Sequence, residues 1–266
     1  MPNKSIYKGF IRDPTRIKGV HKGFMVQKSV HKVFKGVRHS MKQLLVNEIF
    51  GPTVQGEGPS SGQQAAFVRL GGCNLTCSWC DTPYTWDASR YDLHAENTKH
   101  TIEQIVMQLP DVPLIVISGG EPLLQATALE MLCNTLINLE YQVEIETNGT
   151  QHPMTHNKNI RYNVSPKLAH AGDPIEKRIT PALFEYVSDP NAIFKFVVTG
   201  KKDLNEVQQI ATAHGIVPNR VWIMPEGVDR RVLEQRLIEI SDASIERGYN
   251  VTGRLHIQAF GGIRGK

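Results

Sequence analysis

From Met41 onward, apolar and polar positions alternate between two periods. "AAFVRL" (65–70) is an apolar run of strand length, while "TIEQIVMQL" (101–109) spaces its apolar residues as a helix does, with Thr101 placed to start it. "PLIVISGGEP" (113–122) predicts a strand ending in a Gly-Gly turn, and "LLQATALEMLCNTLINLE" (123–140) an amphipathic helix. "QVEIETNG" (142–149), "IRYNVSPK" (160–167), "AIFKFVVTG" (192–200) and "RVWIMPEG" (220–227) each predict a strand that runs into a polar turn. Helices over 203–215 and 229–248 separate the later strands, and "VTGRLHIQ" (251–258) predicts a closing strand. Strands alternating with helices imply parallel pairing and right-handed crossovers. Such α/β sheets place their sites at the strand C-termini. Six or seven mostly parallel strands fall short of an eight-unit barrel. The expectation is one domain over residues 41–266, built as a partial, open β/α barrel.

Residues 1–40 do not join this pattern. Their loose echoes, "IKGVHKGF" and "VHKVFKGVRH", hold neither a helical stripe nor a strand alternation. Residues 1–42 contain eleven of the chain's 30 Lys and Arg but only one of its 26 Asp and Glu, Asp13. The remainder therefore carries 19 basic against 25 acidic residues, so the formal charge of +4 averages two unlike regions. A basic arm on nucleic acid and an organellar presequence are two readings of the extension. The favoured one is a poorly ordered appendage, upstream of an internal start at Met41. Nucleic acid is not an expected partner of the acidic core.

Composition narrows the class. With 40 % hydrophobic and 21 % charged residues the chain has the make-up of a globular protein, and no uninterrupted apolar run is long enough to span a membrane. No secretory signal opens it, and four cysteines in 266 residues are no disulfide framework, so a reducing, cytoplasmic setting is expected. Three of the four thiols, Cys73, Cys77 and Cys80, fall within "GGCNLTCSWCDT" (71–82). A structural zinc normally takes four ligands, and His94 and His100 are poorly spaced to complete one. Cys133 lies mid-helix and reads as a small core residue. An iron–sulfur cluster held by three thiolates, with one iron left open, fits the spacing better.

The spacing C-x₃-C-x₂-C with Trp79 before the last thiol, followed about 40 residues later by "GGEP" (119–122), resembles the radical S-adenosylmethionine superfamily. That resemblance implies the superfamily's open barrel and a four-iron four-sulfur cluster on Cys73, Cys77 and Cys80, one per subunit. It also implies S-adenosylmethionine on the remaining iron, and release of a 5′-deoxyadenosyl radical after one-electron reduction. Trp79, Gly119, Gly120 and Glu121, with Glu146 and Asn148 of "ETNG", Ser165 and Lys167 of "SPK", and Met224 and Glu226 of "MPEG", would surround the cofactor. Taken singly, each of these is also an ordinary polar turn or helix cap.

"VNEIFGPTVQGEG" (46–58) and "AAFVRLGGCNLTCSWCDT" (65–82), with "RLHIQ" near the C-terminus, resemble the 7-carboxy-7-deazaguanine synthase family. This implies a lyase of queuosine-type 7-deazapurine biosynthesis. Its substrate is 6-carboxy-5,6,7,8-tetrahydropterin, and its reaction a ring contraction with loss of ammonia. Gln55 and Glu57 would read the amide and amino edge of the pterin. Arg69 would take its carboxylate, and His256 would donate from the far side. Thr82 would ligate Mg²⁺, which keeps waters and takes substrate oxygens. Asp81 is open between ordering those waters and bonding within the loop. The radical forms on the cofactor, so no side chain is assigned as catalytic. A homodimer and a flavodoxin-like or other low-potential reductant belong to the same expectation. The rivals are a glycyl-radical activating enzyme, which needs neither Gln-x-Glu nor Thr82, and a non-catalytic metal-binding protein with a basic nucleic-acid arm.

Overall fold

Strand parity organises the molecule. The computed structural model describes residues 42–154 and 158–266; residues 1–40, on which the expectation of a poorly ordered appendage falls, lie outside them, as does Met41. The strands are β1 (Gln43–Val54), β2 (Gln64–Leu70), β3 (Thr98–Thr101), β4 (Leu114–Gly119), β5 (Gln142–Thr147), β6 (Ile160–Val164), β7 (Ile193–Val198), β8 (Val221–Pro225) and β9 (Asn250–Val251). They form one sheet in the order β3-β1-β2-β4-β5-β6-β7-β8-β9. Neighbours from β2 through β9 pair in parallel, whereas β1 runs antiparallel to both β2 and β3. The helices are α1 (Leu93–Glu96), α2 (Ile102–Gln108), α3 (Ala126–Asn138), α4 (Ile175–Arg178), α5 (Ala182–Ser188), α6 (Asp203–His214), α7 (Arg230–Ile245) and α8 (Leu255–Phe260). Among the described residues no helix is long and apolar enough to cross a membrane.

The open, mostly parallel barrel is as expected, but the sheet has nine strands where six or seven were predicted. The surplus is largely the antiparallel edge. Pro52 interrupts the pattern of β1, and a proline has no N–H for a ladder. The strand continues across it because the β1–β2 register shifts between Phe50 and Thr53, a bulge-like irregularity at that place. The predicted closing strand over 251–258 is not one. Its first residue belongs to the two-residue β9, and Leu255–Phe260 is helical. The chain leaves the sheet where Thr252 Oγ1 accepts a bond from Gly58 N (2.9 Å) and Leu255 N donates to Gly56 O (2.9 Å). The start of α2 follows its sequence signal. Thr101 accepts from Gln104 N while the Gln104 side chain accepts from Thr101 N, a reciprocal cap.

On the outer side of the parallel strands, Ala66, Val68, Leu70, Ile115, Ile117, Val143, Ile145, Tyr162, Val164, Phe194, Phe196 and Ile223 pack with helix residues such as Leu129, Leu132, Leu136, Leu204 and Val207. Cys133 lies in this core at 0 % exposure. Each large apolar side chain buried this way contributes about 1.5–3 kcal/mol. The alternate positions point the other way. Among the described residues, Ala65, Leu114, Val116 and the partly buried Phe67 make a second, small apolar cluster there. Above it most inward residues, Ser118, Glu146, Asn163 and Lys195 among them, are polar.

Candidate active site

The thiol loop leaves the end of β2 and is fixed by the turn after β4. Gly120 N donates to Leu70 O (3.1 Å) and Glu121 N to Gly72 O (2.8 Å). A Cβ on Gly120 would lie 1.9 Å from Gly72 O, so no other residue allows the two backbones this approach. The Glu121 carboxylate accepts from Leu123 N (3.0 Å), Thr147 Oγ1 (2.8 Å) and Asn148 N (2.7 Å). It thereby ties the end of β4 to the end of β5. Burial raises its pKa above the usual carboxylate range, against those hydrogen bonds. Beyond the loop's middle, Thr76 N and Oγ1 donate to Asp173, and Ser78 N donates to Ala171 O. Asn74 bonds Asn148 (3.0 Å) and Thr150 (2.8 Å).

These contacts turn Cys73, Cys77 and Cys80 toward one cavity of about 360 Å³ at the C-terminal ends of the strands. No three His, Cys, Asp or Glu side chains among the described residues converge on a single-ion site, although the three thiols share this wall. Burial, with Glu121 and the other two thiols adding, pushes the Cys73 thiol up to about 11; burial also raises Cys77. A cationic group is therefore needed to hold them as thiolates. Trp86 Nε1 donates to Cys80 Sγ at 3.4 Å, as a donor to a ligating sulfur would. The donor set fits an iron–sulfur cluster. On the adjoining wall Lys167 Nζ bonds Ser165 Oγ (2.8 Å) and lies 5.8 Å from the centre of the Trp79 ring. Asn163 Oδ1 and Trp79 Nε1 are buried without a hydrogen-bond partner, and both residues line the cavity. A polar cofactor with donor and acceptor edges fits that wall.

The inner face of the sheet supplies charge. Glu57 is held by Arg254 Nε (2.9 Å to Oε1) and by Lys195 Nζ on Oε2. Burial opposes its charge, yet the Lys195 and Arg254 cations win and keep the carboxyl well below the usual range. Lys195 also faces Glu146 at 3.8 Å. Burial likewise opposes the lysine's charge, and the two carboxylates outweigh it, raising its pKa. Gln55 Nε2 donates to Glu146 (3.3 Å), and Ser118 Oγ donates to its other oxygen (2.9 Å). Deeper in, Glu144 accepts from Ser60, Arg161 (2.9 Å) and Asn163 (3.0 Å). Arg254 Nη2 bonds Asp81, the residue between Cys80 and Thr82. His256 Nε2 is 4.0 Å from Glu57, and a Cβ on Gly56 would meet its ring, so the "QGEG" turn sits directly against it. Burial lowers the His256 pKa despite Glu57, favouring the neutral ring.

Of the residues singled out in the sequence, Gln55, Glu57, Arg69, Cys73, Cys77, Trp79, Cys80, Thr82, Gly119, Gly120, Glu146, Asn148, Ser165, Lys167, Met224, Glu226 and His256 all line this cavity. Glu121 alone does not, since its side chain is spent on the strand ends. Arg69 is committed through Nε to Glu48 (2.7 Å), and Glu226 pairs with Arg236. His256 arrives on helix α8 rather than on the predicted strand. Sequence reasoning missed Lys195, Asn163, Glu144 and Arg254. The first three had a visible signal: a charged or amide residue at alternate positions of an otherwise apolar strand, as in "IFKFVV", "VEIE" and "YNV". Arg254 had one too, as the first residue of the "RLHIQ" stretch, although only the histidine of that stretch was given a role.

An open parallel barrel with a three-thiol loop after its first parallel strand defines a radical SAM protein, and the family model described as Radical SAM superfamily matches residues 67–170. The fold is shared with the crystal structure of QueE from Escherichia coli, at a TM-score of 0.61 and 23 % identity over 82 % of this chain and 96 % of that one. A 7-carboxy-7-deazaguanine synthase from Pyrobaculum aerophilum is 40 % identical over 224 residues, covering 83 % of this chain and 96 % of that protein. Another from Hyperthermus butylicus is 34 % identical over 221 residues, covering 80 % and 92 %. The chain belongs to the 7-carboxy-7-deazaguanine synthase family, radical SAM lyases.

Proposed function

We propose that the cavity contracts the ring of 6-carboxy-5,6,7,8-tetrahydropterin to 7-carboxy-7-deazaguanine with loss of ammonia. The observation that carries this reading is spatial. Residues from the "QGEG" turn, β2, the thiol loop, β4 to β8 and α8 meet on one cavity of about 360 Å³, although the sequence scatters them from Gln55 to His256. When bound, the cluster on Cys73, Cys77 and Cys80 and S-adenosylmethionine supply the one-electron chemistry. The protein's own part is recognition and placement. Glu57, kept anionic by Lys195 and Arg254, accepts from the pterin's amino edge, and Gln55 extends that edge. Arg69 offers its guanidinium to the substrate carboxylate. His256, neutral by burial, bonds the substrate without adding a charge. Thr82, with its hydroxyl 3.7 Å from Cys80 Sγ, would hold Mg²⁺ between the loop and the substrate oxygens. By the same family likeness the enzyme acts in the cytoplasm as a homodimer, with a flavodoxin-like or other low-potential reductant.

The test is anaerobic reconstitution of the full chain with iron and sulfide, followed by incubation with the carboxypterin, S-adenosylmethionine, Mg²⁺ and dithionite. A deazaguanine product is expected. Unreacted pterin from protein carrying a full cluster would refute the reading. A chain beginning at Met41, assayed beside it, should turn over equally if residues 1–40 are an appendage.

A further inference from the structure

Arg254 bonds three separate walls of the cavity at once. Nε donates to Glu57 Oε1 at 2.9 Å, Nη1 to Gly227 O at 2.8 Å, and Nη2 to the Asp81 carboxylate. Its partners come from the turn after β1, the turn after β8 and the thiol loop, 197, 27 and 173 residues away in sequence. The residue is 8 % exposed. From these bonds we infer that Arg254 is a positioning residue that sets the distance between the thiol loop and the substrate-reading carboxylate of Glu57, with Asp81 as its hold on the loop. The inference rests on the proposed roles of Glu57 and Thr82.

The position of Asp81 gives the link its leverage. It follows Cys80 and precedes Thr82, so a shift in its carboxylate moves both the last cluster thiol and the hydroxyl beside it. At the other end, Glu57 has its second oxygen fixed by Lys195 on β7. Arg254 is therefore a strut between a rigid strand layer and a loop. The planar guanidinium holds Nε, Nη1 and Nη2 at fixed separations and so spans acceptors on three walls, whereas an ammonium offers its three N–H groups from a single nitrogen on a flexible stem. The guanidinium also separates two carboxylates that face the same cavity and would repel. The Asp81 side chain is 43 % exposed, so an isolated pair there would have little energetic worth. Its value is geometric. Radical abstraction demands a reacting distance, and a misplacement of about 1 Å costs about 100-fold in rate.

The test uses the cluster-loaded full chain with Arg254→Gln, Asp81→Asn and the double variant. Iron content should match wild type in all three. Substrate affinity, read calorimetrically without S-adenosylmethionine, should fall at least about tenfold in Arg254→Gln, which loosens a charged hydrogen bond to Glu57. It should be unchanged in Asp81→Asn, where Glu57 is still held. kcat should fall about 100-fold in Arg254→Gln and about tenfold in Asp81→Asn. The double variant should be no slower than Arg254→Gln alone, because both remove one link. Wild-type kcat in Asp81→Asn, or multiplied losses in the double variant, would overturn the inference. Asp81→Asn changes only the exposed end of the strut, so it decides the matter even if Arg254→Gln fails to load iron. Failure of the wild-type protein to convert the carboxypterin would overturn the functional reading and this inference with it; wild-type turnover beside an unaffected Asp81→Asn overturns the inference alone.

Discussion

Strands β4 to β8 carry two opposite chemistries on one backbone. Facing outward, Ile117, Ile145, Tyr162, Phe196 and Ile223 are 0 % exposed and packed among themselves and the helices. Facing inward, and one residue away in sequence, Ser118, Glu146, Asn163, Lys195 and Met224 line the cavity. The outer face gains stability from apolar area, at about 25 cal/mol per Å². The inner face holds carboxylates and cations out of water, where an ion pair is weak evidence for stability and a broken one costs about 3–5 kcal/mol. Residue parity thus separates what keeps the protein folded from what lets it work. A sheet open at its C-terminal ends allows this, because a closed small barrel would fill its interior with side chains.

That division can be attacked from either side. The largest effect expected is on the inner side. Cys80→Ala should abolish product formation and reduce cluster iron well below roughly four per chain, while the thermal midpoint of the iron-free protein stays that of the iron-free wild type. Matching midpoints with retained turnover would break the assignment of the loop. On the outer side, Phe196→Ala should lower the unfolding free energy by about 3–5 kcal/mol in a urea titration. Its kcat/KM per folded molecule should stay near wild type. Thr82→Ala sharpens the inner side further. It should keep full cluster absorbance and lose the stimulation of turnover by Mg²⁺. An unchanged Mg²⁺ titration would remove Thr82 from the site.

The smallest effect concerns His256. Burial lowers its pKa in the folded protein below the ordinary value of about 6.5. Above that pH the ring is neutral in both states and its contribution is complete. As the pH falls through 6.5 toward the lowered folded value, the unfolded chain takes up the proton first, so stability declines. His256→Gln should flatten the dependence of unfolding free energy on pH in that window. An identical slope in the variant would mean that the native ring titrates as an exposed one does.

Much of this was legible in the sequence. Apolar runs such as "LIVIS" and "IFKFVV" marked the parallel strands, and the thiol spacing with "GGEP" marked the loop and its clamp. What the sequence hid has physical causes. Pro52 concealed β1, since only a shifted register lets a strand continue past a residue without an N–H. "VTGRLHIQ" alternates like a strand but leaves the sheet after Val251 and is helical from Leu255, because Thr252 Oγ1 accepts from Gly58 N and Leu255 N donates to Gly56 O in the "QGEG" turn. Lys195 and Glu144 were camouflaged by apolar neighbours, although their parity gave them away. Glu121, expected near the cofactor, has its side chain bonded to Leu123, Thr147 and Asn148, partners that the local pattern of "GGEP" does not reveal. Asp81 could not be read locally at all, since its partner Arg254 lies 173 residues away.

The most direct measurement sets Lys195→Met beside Phe196→Ala, neighbours on one strand that face opposite ways, and records kcat/KM per cluster-loaded folded molecule for each. Parity predicts a loss of about 100-fold for Lys195→Met, which leaves Glu57 and Glu146 misplaced, and a change within about twofold for Phe196→Ala, whose effect should appear in unfolding free energy instead. Equal losses of kcat/KM in the two variants would contradict the separation of the faces.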